Sequence, residues 1–106
     1  MSVTEETVDL KLSGQGTLRI TFPSTLDSVN ATAIKSSCLQ AFTDTVVELE
    51  MNLTDTSFMD SAGVGILVML YQQSIKTGQS VSIVGAAGQP LSLIQSVQID
   101  KVIPLK

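Results

Sequence analysis

Asp60-Ser61-Ala62-Gly63-Val64-Gly65 sets a carboxylate, a hydroxyl and two glycines side by side, directly ahead of a long apolar run. Those residue types in that order admit three readings: an active site, a loop that cradles phosphate, or only the way a helix begins. A Walker loop needs G-x-x-x-x-G-K-[ST], and no lysine follows Gly65. A dinucleotide fingerprint needs a glycine where Val68 stands, and Gly85-Ala86-Ala87-Gly88 fits no better. The capped helix remains. Asp60 or Ser61 can accept hydrogen bonds from the first-turn N–H groups, and the carboxylate complements the helix dipole. Glycine costs roughly 1 kcal/mol against alanine inside a helix, so packing or function must offset Gly63 and Gly65.

The rest of the composition removes most other chemistry. The chain of 106 residues contains no histidine, so neither Ser-His-Asp nor Cys-His catalysis can be assembled from it. Its carboxylates show no metal-ligand spacing. We therefore assign no catalytic residue, no metal and no cofactor, and expect no enzyme. A net charge of −4 with only six Lys and Arg leaves no basic face for nucleic acid. The lone Cys38 excludes an internal disulfide. Met1-Ser2-Val3-Thr4-Glu5-Glu6 lacks the basic and apolar regions of a secretory leader, and the apolar run over residues 64–71 is too short to span a bilayer. The expectation is a cytoplasmic protein without membrane insertion.

The elements that must position the motif follow from periodicity. Val8-Asp9-Leu10-Lys11-Leu12 alternates, Ser13-Gly14-Gln15-Gly16 turns, and Thr17-Leu18-Arg19-Ile20-Thr21-Phe22 alternates again, which predicts a hairpin closed by Pro23. Asp27, Ser28 and Asn30 are acceptable caps for a helix whose stripe is Ala31, Ile34, Cys38 and Ala41, with Phe42 alongside. Cys38 on that stripe reads as an inert core residue. Residues 46–53 form a third strand, and a helix runs from about Ser61 to Thr77 with Gly78 after it. Residues 80–84 give a fourth strand. Pro90 suits the first turn of a third helix reaching about Val97, and Val102-Ile103 adds a short edge strand. The order β-β-α-β-α-β-α-β specifies one small α/β domain: a mixed sheet, antiparallel at the initial hairpin, with helices packed on it.

The helix after Ser61 is apolar on two sides. At about 100° per residue, Val64, Leu67, Val68, Tyr71 and Ile75 share one side and can face the sheet, while Ala62, Ile66, Met69 and Gln73 fall opposite. Either the third helix covers that second stripe, or it is left exposed for a partner.

The run Leu53-Thr54-Asp55-Thr56-Ser57-Phe58-Met59-Asp60-Ser61-Ala62-Gly63-Val64-Gly65, with Leu26-Asp27 ahead of the first helix, resembles the STAS domain of bacterial anti-sigma-factor antagonists. The similarity spans essentially the whole chain. It implies a STAS-like fold and a transcription-regulating switch. In that family the serine after the aspartate, here Ser61, is phosphorylated by a partner that is both anti-sigma factor and serine kinase. The unphosphorylated form binds that partner and releases sigma factor; the phosphorylated form does not bind, and a PP2C-type phosphatase resets it. The partner-binding residues expected from the resemblance together with the second apolar stripe are Asp27, Asp60, Ser61, Ala62, Gly63, Gly65, Ile66 and Met69. Two positions depart from the family. Ala62 stands where many relatives carry a second hydroxyl, and Ser24-Thr25 replace a glycine and a charged residue.

The physics of such a switch is direct. A phosphate on Ser61 adds about −1.5 to −2 charges beside Asp60, which a helix N-terminus tolerates and a partner surface shaped around a neutral serine does not. Two other readings remain open. One is a constitutive accessory subunit, as in relatives that bind the ATPase of a lipid transporter, with Ser61 only a cap. The other is a small-ligand sensor near Asp27 and Ser61.

Overall fold

The computed structural model describes residues 8–43 and 45–106. Strand β1 (Asp9–Leu12) and strand β2 (Thr17–Thr21) make the expected antiparallel hairpin, with Leu10 opposite Ile20 and Leu12 opposite Leu18. Two short strands that periodicity could not reveal follow: β3 (Thr25–Leu26), and, after helix α1 (Ala31–Ala41) and strand β4 (Glu48–Asn52), β5 (Phe58–Met59). Helix α2 (Ser61–Thr77), strand β6 (Ser80–Val84), helix α3 (Gly88–Ser96) and a 3-10 turn (Ile99–Lys101) complete the order.

The main sheet runs β1-β2-β4-β6, and β2, β4 and β6 are parallel. Register explains which face is covered. Leu18 pairs with Leu49 and on to Val81, and Ile20 pairs with Met51 and on to Ile83, so one face is a continuous apolar surface. The five residues other than Val81 are buried, with Ile34, Cys38, Leu67 and Leu70 of the two long helices. The opposite face carries the alternate residues. There Arg19 meets Glu50 at 2.8 Å, the Thr17 hydroxyl donates to Glu48 at 3.2 Å, and the Asn52 amide donates to Thr21 at 3.3 Å. Parallel sheets are usually covered on both faces and read as unbroken apolar runs. This one alternates because its second face is polar, which is why its strands were legible.

β3 and β5 form a separate two-stranded parallel sheet, with Thr25 opposite Phe58 and Leu26 opposite Met59. Each strand is too short to show a period, so neither was visible in the sequence.

Three expectations are corrected. The cap of α1 is Asn30, but its side chain makes no cap bond; its amide instead accepts from Asp27 N–H at 3.1 Å and donates to the Thr25 carbonyl at 2.6 Å. Val102-Ile103 is not a strand, because Gln98 takes the left-handed conformation (φ 65°) and winds the chain into the 3-10 turn. The edge pairing falls just beyond it: Ile83 N–H donates to the Pro104 carbonyl at 2.9 Å and Lys106 N–H donates to the Ile83 carbonyl at 2.7 Å. The third correction concerns which faces of α2 are buried, and it bears on the site.

Cys38 is fully buried, and desolvation pushes its thiol up to about 12, in keeping with a core role. Among the described residues, no helix is long and apolar enough to cross a membrane.

Candidate functional site

The short β3–β5 sheet builds the site. Both strands end at the same edge, and because Leu26 sits opposite Met59, the chain leaves them at Asp27 and Asp60 side by side. From Asp27 it turns into α1; from Asp60 it enters α2 directly. Two helix starts are thus brought together by a pairing only two residues long.

Asp60 is extended (φ −118°, ψ −165°) and caps α2: its Oδ1 accepts from Ala62 N–H at 2.8 Å and from Gly63 N–H at 3.4 Å. An aspartate cap is worth ~0.5–2 kcal/mol over alanine. The Asp60 backbone N–H donates to the Leu26 carbonyl at 3.2 Å, which ties the cap to β3. Asp27 shapes the neighbouring turn, its Oδ1 accepting from Val29 N–H at 2.9 Å. Val29 stands 91% exposed and Phe58 45% exposed, so two apolar side chains accompany the acidic pair.

Ser61 is the first residue of α2 and is exposed. With Asp60 occupying the cap position, no described residue takes the Ser61 hydroxyl as a hydrogen-bond partner. It is an exposed alcohol at the positive end of a helix dipole.

The glycines divide the work that the sequence attributed to them jointly. Gly63 is buried, and a Cβ there would stand 2.7 Å from the Leu26 carbonyl and 3.1 Å from Met59 Cβ. Gly63 therefore lets α2 sit against both short strands. Gly65 faces open space, and a Cβ there would meet nothing within 4 Å. Its bare backbone lies one turn above Ser61 on the same side, since i and i+4 share a face.

That side is not the one the sequence indicated. Gly63, Ile66, Leu67, Leu70 and Ser74 are the buried residues of α2, so Ile66 belongs to the core (3% exposed) and does not face a partner. Met69 is half-buried and borders a surface groove of about 560 Å³ between α1 and α2, with Leu39, Gln72, Gln73, Ile75 and Lys76. Ile75, placed towards the sheet by the projection, is 58% exposed. The exposed side runs Ser61, Gly65, Val68 (half-buried), Gln72 and Ile75. The true burial axis lies roughly a quarter-turn from both faces read in the sequence. With apolar residues on two sides, periodicity could not choose between them.

The structure thus brings Asp27, Asp60, Ser61, Ala62 and Gly63 to one edge, sets Gly65 one turn along, and removes Ile66. It also adds a residue with no sequence signal, Gln89 in the first turn of α3, whose amide bonds to the backbone of Met59.

A family model described as STAS domain matches residues 11–106. No curated protein matches the chain significantly. Among solved structures, an anti-sigma factor antagonist from Mycobacterium paratuberculosis superposes with a TM-score of 0.83 at 22% identity, over 95% of this chain and 85% of that one. The phosphorylated form of the Bacillus cell fate determinant SpoIIAA gives 0.73 at 19% identity, over 93% and 90%. The murine anion transporter Slc26a9 gives 0.70 at 20% identity, over 82% of this chain and 14% of that one. At such identities the likeness is one of fold.

Proposed function

The chain belongs to the STAS family, and from that premise we propose that it is a phosphorylation-gated anti-sigma-factor antagonist. Its unphosphorylated form binds an anti-sigma factor that is also a serine kinase and so releases sigma factor. Phosphorylation of Ser61 ends that binding, and a PP2C-type phosphatase restores it. The chain works as a bacterial cytoplasmic interaction module and performs no catalysis of its own.

The observation that carries this reading is the exposed Ser61 hydroxyl, left without a bonding partner among the described residues by the Asp60 cap. A serine serving only as a cap would turn its oxygen onto N–H groups of the first turn. Asp60 already holds two of those N–H groups through Oδ1. The partner surface consists of the turns at Asp27 and Asp60 with the stripe of Gly65, Val68 and Gln72 above Ser61, and Met69 flanks it at the groove.

In the transfer step the Ser61 oxygen attacks the γ-phosphorus of ATP held by the kinase. ADP leaves, and the hydroxyl proton passes to a base of the kinase. The product adds about −1.5 to −2 charges to a rim where Asp27 and Asp60 are already acidic. A desolvation and repulsion penalty of ~3–4 kcal/mol at the contact lowers affinity several hundred-fold. The fold is spared, because a helix start accommodates an anion.

Incubation with the anti-sigma factor kinase and ATP tests the reading. One phosphoryl group located at Ser61 by fragmentation mass spectrometry is the expected result. Incorporation at another residue, or none with an active kinase, overturns it.

A further inference from the structure

β5 is hydrogen-bonded to β3 along one edge only. Phe58 N–H donates to the Ser24 carbonyl and Asp60 N–H donates to the Leu26 carbonyl, both at 3.2 Å. In a strand, alternate residues turn their backbone groups to opposite edges. Met59 therefore offers its N–H and C=O to the side away from β3, at a residue that is fully buried. Buried backbone groups need partners, and no described strand lies there to supply them.

Gln89 supplies both. Met59 N–H donates to Gln89 Oε1 at 2.9 Å, and Gln89 Nε2 donates to the Met59 carbonyl at 2.8 Å. A primary amide carries a donor and an acceptor in one plane, so this side chain reproduces the edge of a neighbouring strand. A carboxylate would lack the donor, and an aliphatic chain would lack both. The contact also bridges 30 residues of sequence, joining the first turn of α3 to the strand that immediately precedes the Asp60 cap.

We propose that Gln89 is the positioning residue of the Ser61 switch. By closing the free edge of β5 it fixes the turn from which Ser61 is presented to the phosphorylating partner, and it makes the start of α3 part of the switch. The proposal rests on the Ser61 reading above. Gln89 does not touch the reacting hydroxyl; it acts through Met59 and Asp60. A reacting group misplaced by about 1 Å can lose up to about a hundredfold in rate. Weakened positioning should therefore appear in turnover and leave recognition of the surface largely intact.

The test uses the full chain with Gln89→Leu, which removes both bonds at similar size, and Gln89→Glu, which keeps the acceptor for Met59 N–H and loses the donor. Amide exchange followed by NMR reads the clamp itself. The Met59 N–H should exchange at least about tenfold faster in Gln89→Leu, with Leu49 and Met51 in β4 unchanged. Phosphorylation by the anti-sigma factor kinase with ATP reads its consequence. In Gln89→Leu, kcat should fall about tenfold to a hundredfold while KM stays within about twofold, and Gln89→Glu should lie between it and the native chain. Unchanged Met59 exchange, or native kcat in Gln89→Leu, overturns the proposal. Should Gln89→Leu fail to fold, Gln89→Glu carries the same two comparisons. A native chain that takes no phosphoryl group brings down the Ser61 reading and this proposal together, whereas a phosphorylated native chain with unaffected variants brings down this proposal alone.

Discussion

The Leu26 carbonyl faces Gly63 so closely that a Cβ on the glycine would stand 2.7 Å from the oxygen. The contact is with backbone, which cannot step aside as a flexible side chain can. It fixes how near α2, with Ser61 as its first residue, approaches β3. Gly63→Ala is expected to destabilise the fold by ~1–3 kcal/mol, the usual range for overpacking. Gly65→Ala meets open space and should stabilise by up to ~1 kcal/mol through helix propensity. Urea denaturation of the two variants separates them, and equal effects of the same sign would contradict this division of roles.

Among the described residues, Asp60 is the only side chain that holds the first turn of α2, accepting from the Ala62 and Gly63 N–H groups. Asp60→Ala should cost ~0.5–2 kcal/mol of stability, and Asp60→Asn, which keeps a capping oxygen, much less. Thermal unfolding of the pair checks this. Equal losses in Asp60→Asn and Asp60→Ala would show that the charge, which both remove, matters more than the capping oxygen.

The exposed and buried sides of α2 make separable predictions. Gly65→Lys places a long charged chain on the stripe above Ser61 and should weaken binding to the anti-sigma factor at least about tenfold with stability little changed. Ile66→Val acts in the core, and should cost ~0.5–1.5 kcal/mol of stability with affinity unchanged. Titration calorimetry alongside denaturation distinguishes them. A selective affinity loss in Ile66→Val would restore Ile66 to the contact surface.

The Cys38 thiol, with an ordinary value of 9.0, is pushed up to about 12 by burial. The native state then keeps its proton at pH values where the unfolded chain has released it. Stability should be insensitive to this group below about pH 9 and fall as pH rises from there towards 12. Cys38→Ser denaturation curves should lack that portion of the alkaline loss. By the same logic, the native thiol should resist alkylation at about pH 8 until the chain is unfolded.

Much of the fold was legible because the main strands alternate apolar and polar residues: Leu18 and Ile20 alternate with Thr17, Arg19 and Thr21, and Leu49 and Met51 with Glu48 and Glu50. The limits of α2 were equally plain from Asp60 before it and Gly78 after it, the latter in the left-handed conformation at φ 75°. The β3–β5 pair escaped because two residues make no period. The faces of α2 were misjudged because Ile66, Met69, Val64 and Val68 are all apolar, and only the packed structure shows which of them meet the sheet. Gln89 carried no signal at all: a glutamine near a helix start is ordinary until its amide is found against a backbone far away in the chain.

The central claim is that charge on Ser61 controls docking without altering the fold. Its most direct measurement is calorimetric titration of the anti-sigma factor with the unphosphorylated chain and with the chain stoichiometrically phosphorylated at Ser61, with circular dichroism and Tm recorded for both. The account predicts Kd raised by at least about a hundredfold on phosphorylation, ~3 kcal/mol, with spectra superimposable and Tm shifted by no more than a few degrees. Equal affinity of the two forms would contradict it, as would lost affinity accompanied by lost structure.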